Sequence, residues 1–104
     1  MFKMQDEQGI DDKIICIPLR DPNWNAHERL DDLPELLRAE IEQFFSIYED
    51  LEHKRVVVDG WRSREDAVEE IRAARRRFTE GLEAGTITDY RAPGGRLPGP
   101  QRRQ

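Results

Sequence analysis

The period of the apolar positions changes along this chain, and each change marks an element. Residues 1–5 read as a short strand, and residues 6–12 as an acidic turn punctuated by Gly9. Ile14, Ile15, Cys16 and Ile17 form a continuous, mostly β-branched apolar run that Pro18 ends, which predicts a buried strand. Residues 1–18 together predict a hairpin with an acidic connection. Pro18, Pro22, Asn23 and Asn25 interrupt the next stretch, so residues 19–31 read as loop.

Helical spacing begins after Asp32. Glu35 lies three positions on, as in a capping box, and Pro34 falls in the first turn, where its missing N–H costs little. Leu37, Ile41, Phe44, Phe45 and Tyr48 follow at i, i+4, i+7, i+8 and i+11, the spacing of one apolar helix face. Val56, Val57 and Val58 predict a third strand, closed by Asp59 and Gly60. Ser63 with Asp66 predicts a second cap, and Ala67, Ile71, Ala74, Phe78 and Leu82 recur behind it at helical spacing. Arg72, Arg75, Arg76 and Arg77 lie on that helix a turn or two after Glu65, Glu69 and Glu70, the pattern of a solvated, salt-bridged face. From Gly81 onward, glycines and prolines punctuate a segment with few apolar residues, and residues 81–104 are expected to be disordered. The order strand, strand, helix, strand, helix, tail is that of an α+β fold.

The acidic turn carries the strongest chemical signal. Asp6, Glu7, Asp11 and Asp12 crowd into seven residues, and Lys13 follows at once. On a hairpin, Asp6 and Asp11 stand at opposite ends of the connection, so the turn brings them together. Two converging carboxylates repel unless a cation lies between them. Magnesium suits such a site because it takes oxygen ligands and keeps waters and substrate phosphates in its shell. Lys13 is placed to meet a phosphate as a compact point charge. A solvated surface turn is the other reading of the same residues, and the spacing is not that of an EF-hand.

Composition narrows the partners. The chain has 104 residues, enough for one domain, with 38% charged residues and a mean hydropathy of -0.86. Its net charge of -5 argues against nucleic acid and anionic membranes, which need a basic footprint. The lone thiol, Cys16, forms no internal disulfide and reads as a buried small apolar side chain. There is no apolar span of membrane length and no signal-peptide pattern, so a cytoplasmic protein is expected. Trp24 and Trp61 read as packing residues. His27 and His53 lack partners at metal-ligand spacing, and there is neither a Gly-rich phosphate loop nor a Ser-His-Asp order.

Taken in order, Asp6-Glu7-x-Gly9-x-Asp11-x-Lys13, an apolar strand ending in Pro18, Asp32-Leu33-Pro34-Glu35-Leu36-Leu37, Phe44-Phe45, Tyr48, Asp50-Leu51-Glu52 and Gly60-Trp61 form a series. This series resembles the C-terminal half of family I soluble inorganic pyrophosphatases, over residues 1–80. The resemblance implies part of an OB-like β-barrel with two flanking helices, and hydrolysis of pyrophosphate to two phosphates with Mg2+ as cofactor. It implies Asp6 and Asp11 as metal ligands, Lys13 and Tyr48 as phosphate contacts, and Glu7 as a secondary acidic position. The family's other acidic cluster lies upstream of the matched segment, and no such cluster precedes Asp6. The sequence departs from the family at Glu49, where a lysine usually follows the tyrosine. Three readings follow. The chain is part of an active pyrophosphatase, or a truncated, inactive pseudoenzyme that associates with an intact homologue or with itself, or a small binding module keeping only the fold.

Overall fold

The computed structural model describes residues 1–53 and 55–88, with Glu49 described by its backbone alone. Five regular elements appear in α+β order: β1 (Phe2–Asp6), β2 (Gly9–Ile10), α1 (Glu35–Leu51), β3 (Val57–Trp61) and α2 (Arg64–Ala84). The three strands form one antiparallel sheet in the order β2-β1-β3. The chain divides into two units, residues 1–69 and 70–104.

In the first unit, β1 is central because it pairs with β2 on one side and β3 on the other, and its residues alternate. Phe2 and Met4 point to one face and are almost wholly buried, while Lys3 and Gln5 point to the other. β1 turns into β2 through Glu7 and Gln8, with Asp6 opposite Gly9 and Gln5 opposite Ile10. Gly9, at φ 128°, takes a conformation that side chains disfavour. Pairing continues beyond β2: the Asp11 N–H donates to the Met4 carbonyl at 2.9 Å, and Phe2 and Lys13 exchange two bonds of 2.9 Å.

The hairpin ends there, and this corrects the expectation for residues 14–17. They form no strand, and Cys16 is exposed rather than buried. The register carries Ile14 and its successors past Phe2, and β2 and β3 already occupy both edges of β1. β-branched composition gives a strand its propensity, but a ladder also needs a neighbour. The third strand lies later than expected, running through Asp59 and Gly60 to Trp61. The register shift between Lys3 and Met4 absorbs one extra residue, and Gly60 at φ 83° accommodates that bulge. The Trp61 ring packs on Phe2 with centroids 5.1 Å apart.

Asp32 does not cap α1. It closes a short 3-10 turn, Leu30–Asp32, where its carboxylate accepts the backbone N–H groups of Glu28 and Arg29 at 2.8 and 2.9 Å. With Asp32 bonded backwards, Pro34 opens α1, its carbonyl accepting the Arg38 N–H. One stripe of α1, Leu37, Ile41 and Phe45, is half-buried, and Phe45 stacks on Phe2 at 5.9 Å. Phe44 and Tyr48, expected on the same face, lie exposed on a neighbouring stripe. The first turn of α2 is capped as the sequence implies: the Asp66 N–H donates to Ser63 Oγ at 3.1 Å.

In the second unit, α2 extends to Ala84, taking up the first four residues of the expected tail, and ends in a Schellman motif. Gly85, at φ 72°, donates to Leu82, and Thr86 donates to Gly81 at 2.9 Å. Arg77 pairs with Glu70 on the solvated face. The remainder of the expected tail, residues 89–104, lies outside the described residues. Among the described residues no helix is long and apolar enough to cross a membrane.

Candidate functional site

The hairpin register decides which acidic side chains share a face. Met4 stands opposite Asp11 and Phe2 opposite Lys13, so Asp6, Asp11 and Lys13 lie on the face that carries Phe2 and Met4. Lys3 and Asp12 lie on the other face, joined by an ion pair of 3.3 Å. Asp6 and Asp11 are diagonal neighbours, a relation that separates backbones by roughly 7–8 Å in an antiparallel pair. The sequence placed Asp6 and Asp11 at the two ends of the connection, and the register puts them on one face as diagonal neighbours. The parity that separates Asp11 from Asp12 follows from the register alone.

Each of these groups already has a contact. Asp6 Oδ1 accepts the Gln8 N–H at 2.8 Å, which tightens the turn. Lys13 Nζ donates to Asp11 Oδ1 at 2.7 Å and lies 5.2 Å from the centre of the Phe45 ring. Phe45 therefore belongs to the site's surroundings as a platform under Lys13, a role hidden by its place in an apolar stripe. Glu7 is exposed at the turn. Tyr48 lies on α1 nearly one turn beyond Phe45, half-exposed, with its ring stacked on Phe44 at 5.8 Å. Glu49 follows it on the helix. The structure thus joins Asp11 and Lys13, puts Asp6 on the same face of the hairpin, and puts Tyr48 on the helix that packs against Phe2.

The donor chemistry suits a hard cation, since both carboxylates offer oxygens, and Lys13 supplies positive charge at Asp11. Among the described residues no group of three or more His, Cys, Asp or Glu is arranged to hold a metal ion, so a metal held by this pair would need further ligands. Two cavities of the first unit lie elsewhere. One of about 360 Å³ is lined by Ile15, Ile17, Leu30, Leu33, Arg29 and Arg64 among others, and one of about 190 Å³ by Lys3, Ile10, Asp12 and Asp59 among others.

Comparison with known proteins gives this face a context. The family described as inorganic pyrophosphatase matches residues 1–79. The inorganic pyrophosphatase of Methanosarcina mazei is 46% identical over 80 residues, covering 77% of this chain and 47% of that protein. That of Methanosarcina acetivorans is 42% identical over 80 residues, with 77% and 48% covered. That of Aquifex pyrophilus is 40% identical over 84 residues, with 78% and 48% covered. The chain spans about half the length of the curated relatives it matches. No solved structure matches it. The matched segment holds the acidic hairpin, α1, β3 and most of α2, and on that match the chain belongs to the inorganic pyrophosphatase family.

Proposed function

We propose that this chain supplies the metal- and phosphate-binding hairpin of an enzyme that hydrolyses pyrophosphate to two phosphates, and that its open sheet is part of a larger OB-like barrel. The observation that carries the reading is the shared face of Asp6, Asp11 and Lys13 within a segment similar to proteins named inorganic pyrophosphatase. Asp6 and Asp11 would hold magnesium through carboxylate oxygens, with other ligands from water, substrate and the rest of the domain. When bound, magnesium supplies the acidity that activates water and the positive charge that offsets the phosphates. Lys13 would turn from Asp11 to a phosphate oxygen, and Tyr48 would donate its hydroxyl to another, orienting the phosphorus for in-line attack. Glu7 adds negative charge beside the pair. We place the reaction in the cytoplasm, since a single cysteine gives no sign of an oxidising compartment.

Glu49 favours a second reading, an inactive pseudoenzyme, because it puts a carboxylate in the sequence position where the family resemblance implies a phosphate-binding lysine. One experiment separates the two. The chain is fused to the half of the Methanosarcina mazei relative that it does not match, and phosphate release from pyrophosphate is measured with and without magnesium. The active reading predicts magnesium-dependent release that Asp11→Asn lowers on the order of 10²-fold, a loss typical of removing one charge-stabilising group. A folded fusion without hydrolysis would establish the pseudoenzyme.

A further inference from the structure

Basic charge is concentrated at one end of the chain. Residues 70–104 hold eight arginines, no lysine and four acidic residues, whereas residues 1–69 hold nine basic residues against eighteen acidic ones. The net charge of -5 thus averages a strongly acidic stretch with a basic one, and the change of sign coincides with the start of the second unit. In that unit Arg72, Arg75 and Arg76 stand at i, i+3 and i+4 on α2, and all three are exposed. The sequence predicts a salt-bridged face here, yet the pairing falls to Arg77 and Glu70. Glu69 and Glu80 lie within about a turn, but among the described residues Arg72, Arg75 and Arg76 form no ion pair. Beyond the family match, which ends at residue 79, the sequence adds Arg91, Arg96, Arg102 and Arg103 among glycines and prolines, together with Tyr90.

We propose that the arginine face of α2 and the arginine- and glycine-bearing sequence after it bind single-stranded RNA. This property is separate from pyrophosphate hydrolysis and does not rest on it. Residue type is the first argument. A lysine offers a point charge, whereas a guanidinium grips two phosphate oxygens at once and lays its plane against a base. Eight arginines without a lysine therefore favour a ligand that presents both phosphates and unstacked bases, as a single strand does. Tyr90 is a further side chain of the stacking type, and arginines spaced by glycines recur in binders of single strands. The partition of charge is the second argument. The acidic residues of 1–69 repel a polyanion, so its contacts are confined to residues 70–104. The overall acidity argues against a footprint spread over the whole chain and leaves room for one held by the second unit.

The full 104-residue chain is titrated into a fluorescein-labelled oligouridylate of about 20 nucleotides, and anisotropy is read between about 50 and 200 mM salt. The expected result is saturable binding that weakens as salt rises. Arg72→Gln combined with Arg75→Gln and Arg76→Gln weakens it roughly tenfold or more and flattens the log-log salt slope by about 2, three contacts at ~0.7 each. Arg72→Lys, Arg75→Lys and Arg76→Lys together keep the slope and still lose affinity, which a patch acting by charge alone would not do. Arg20→Gln with Arg55→Gln, at exposed positions of the first unit, leaves affinity and slope unchanged. Circular dichroism checks the helices, and Arg76→Gln alone repeats the test if the triple variant loses them. Inorganic polyphosphate of equal charge competes more weakly than unlabelled oligouridylate. Absence of binding, binding indifferent to the α2 substitutions, or equal competition by polyphosphate overturns the proposal. So does a salt-sensitive self-association that the glutamine variant dissolves while RNA stays unbound, which would assign the basic face to the acidic residues of a second copy.

Discussion

Lys13 sits between a carboxylate and an aromatic face. Its ion pair with Asp11 is partly exposed on both sides and is worth about 0–1 kcal/mol, and its contact with Phe45 adds about 0.5–1 kcal/mol. Interactions of that size hold the side chain in place yet give way to a divalent cation or a phosphate. If position 49 faces a bound phosphate, as the proposed function implies, a negative charge there would cost about 1 kcal/mol at ~4 Å in water and about 4 kcal/mol at an effective dielectric of ~20. In the active fusion, Glu49→Lys is therefore expected to raise kcat/KM, roughly tenfold for each 1.4 kcal/mol recovered, with Glu49→Gln giving part of the gain. Steady-state phosphate release decides this, and equal rates for all three would mean that the position does not face the phosphate. Asp32 gives a different prediction. The N–H groups of Glu28 and Arg29 bond its carboxylate and hold its pKa below the ordinary aspartate value. Because the folded pKa is the lower one, this contribution is present above the ordinary aspartate pKa and disappears as pH falls through the folded value. NMR titration should give Asp32 a depressed midpoint shared by the Glu28 and Arg29 amide shifts, and Asp32→Ala should abolish that shared step.

At the scale of elements, the helices were legible and the strands only partly so. The 3.6-residue period and the Ser63 cap announce α1 and α2 through local spacing, and local spacing survives folding. Residues 14–17 have equally clear strand composition, yet a strand needs a ladder partner, and the register that withholds one is not written in the segment itself. Asp32 misled for a related reason, since a carboxylate at a helix start can bond forwards or backwards. Asp6, Asp11 and Lys13 were legible as a group because the hairpin is local. The outward turn of Phe44 and Tyr48 was not, because it depends on how few neighbours α1 has. The end of α2 was hidden by reading Gly81 and Gly85 as signs of disorder, although a glycine just past a helix is also its usual terminator. Gly85→Ala should accordingly cost about 1 kcal/mol, since alanine tolerates φ 72° poorly, while its Cβ meets nothing within 4 Å. A lowered denaturation midpoint in the fusion checks it, and an unchanged midpoint would mean that the turn does not hold the helix end.

At the scale of the molecule, the face proposed to bind metal and phosphate lies on the open sheet of the first unit. The first unit is an antiparallel sheet with two edge strands, a core built around Phe2 and Met4, and an apolar stripe turned outward. In this account Asp6 and Asp11 are a partial shell that tightens on magnesium once the domain is whole. The most direct measurement follows the carboxyl carbons of the fusion by NMR as magnesium is added, with imidodiphosphate present as a slowly hydrolysed analogue. The account predicts that Asp6 and Asp11 shift together and saturate at one affinity, that the Lys13 side chain leaves Asp11 over the same range, and that the analogue tightens the binding. Saturable shifts at Asp12 and Asp59, with Asp6 and Asp11 unmoved, would contradict it.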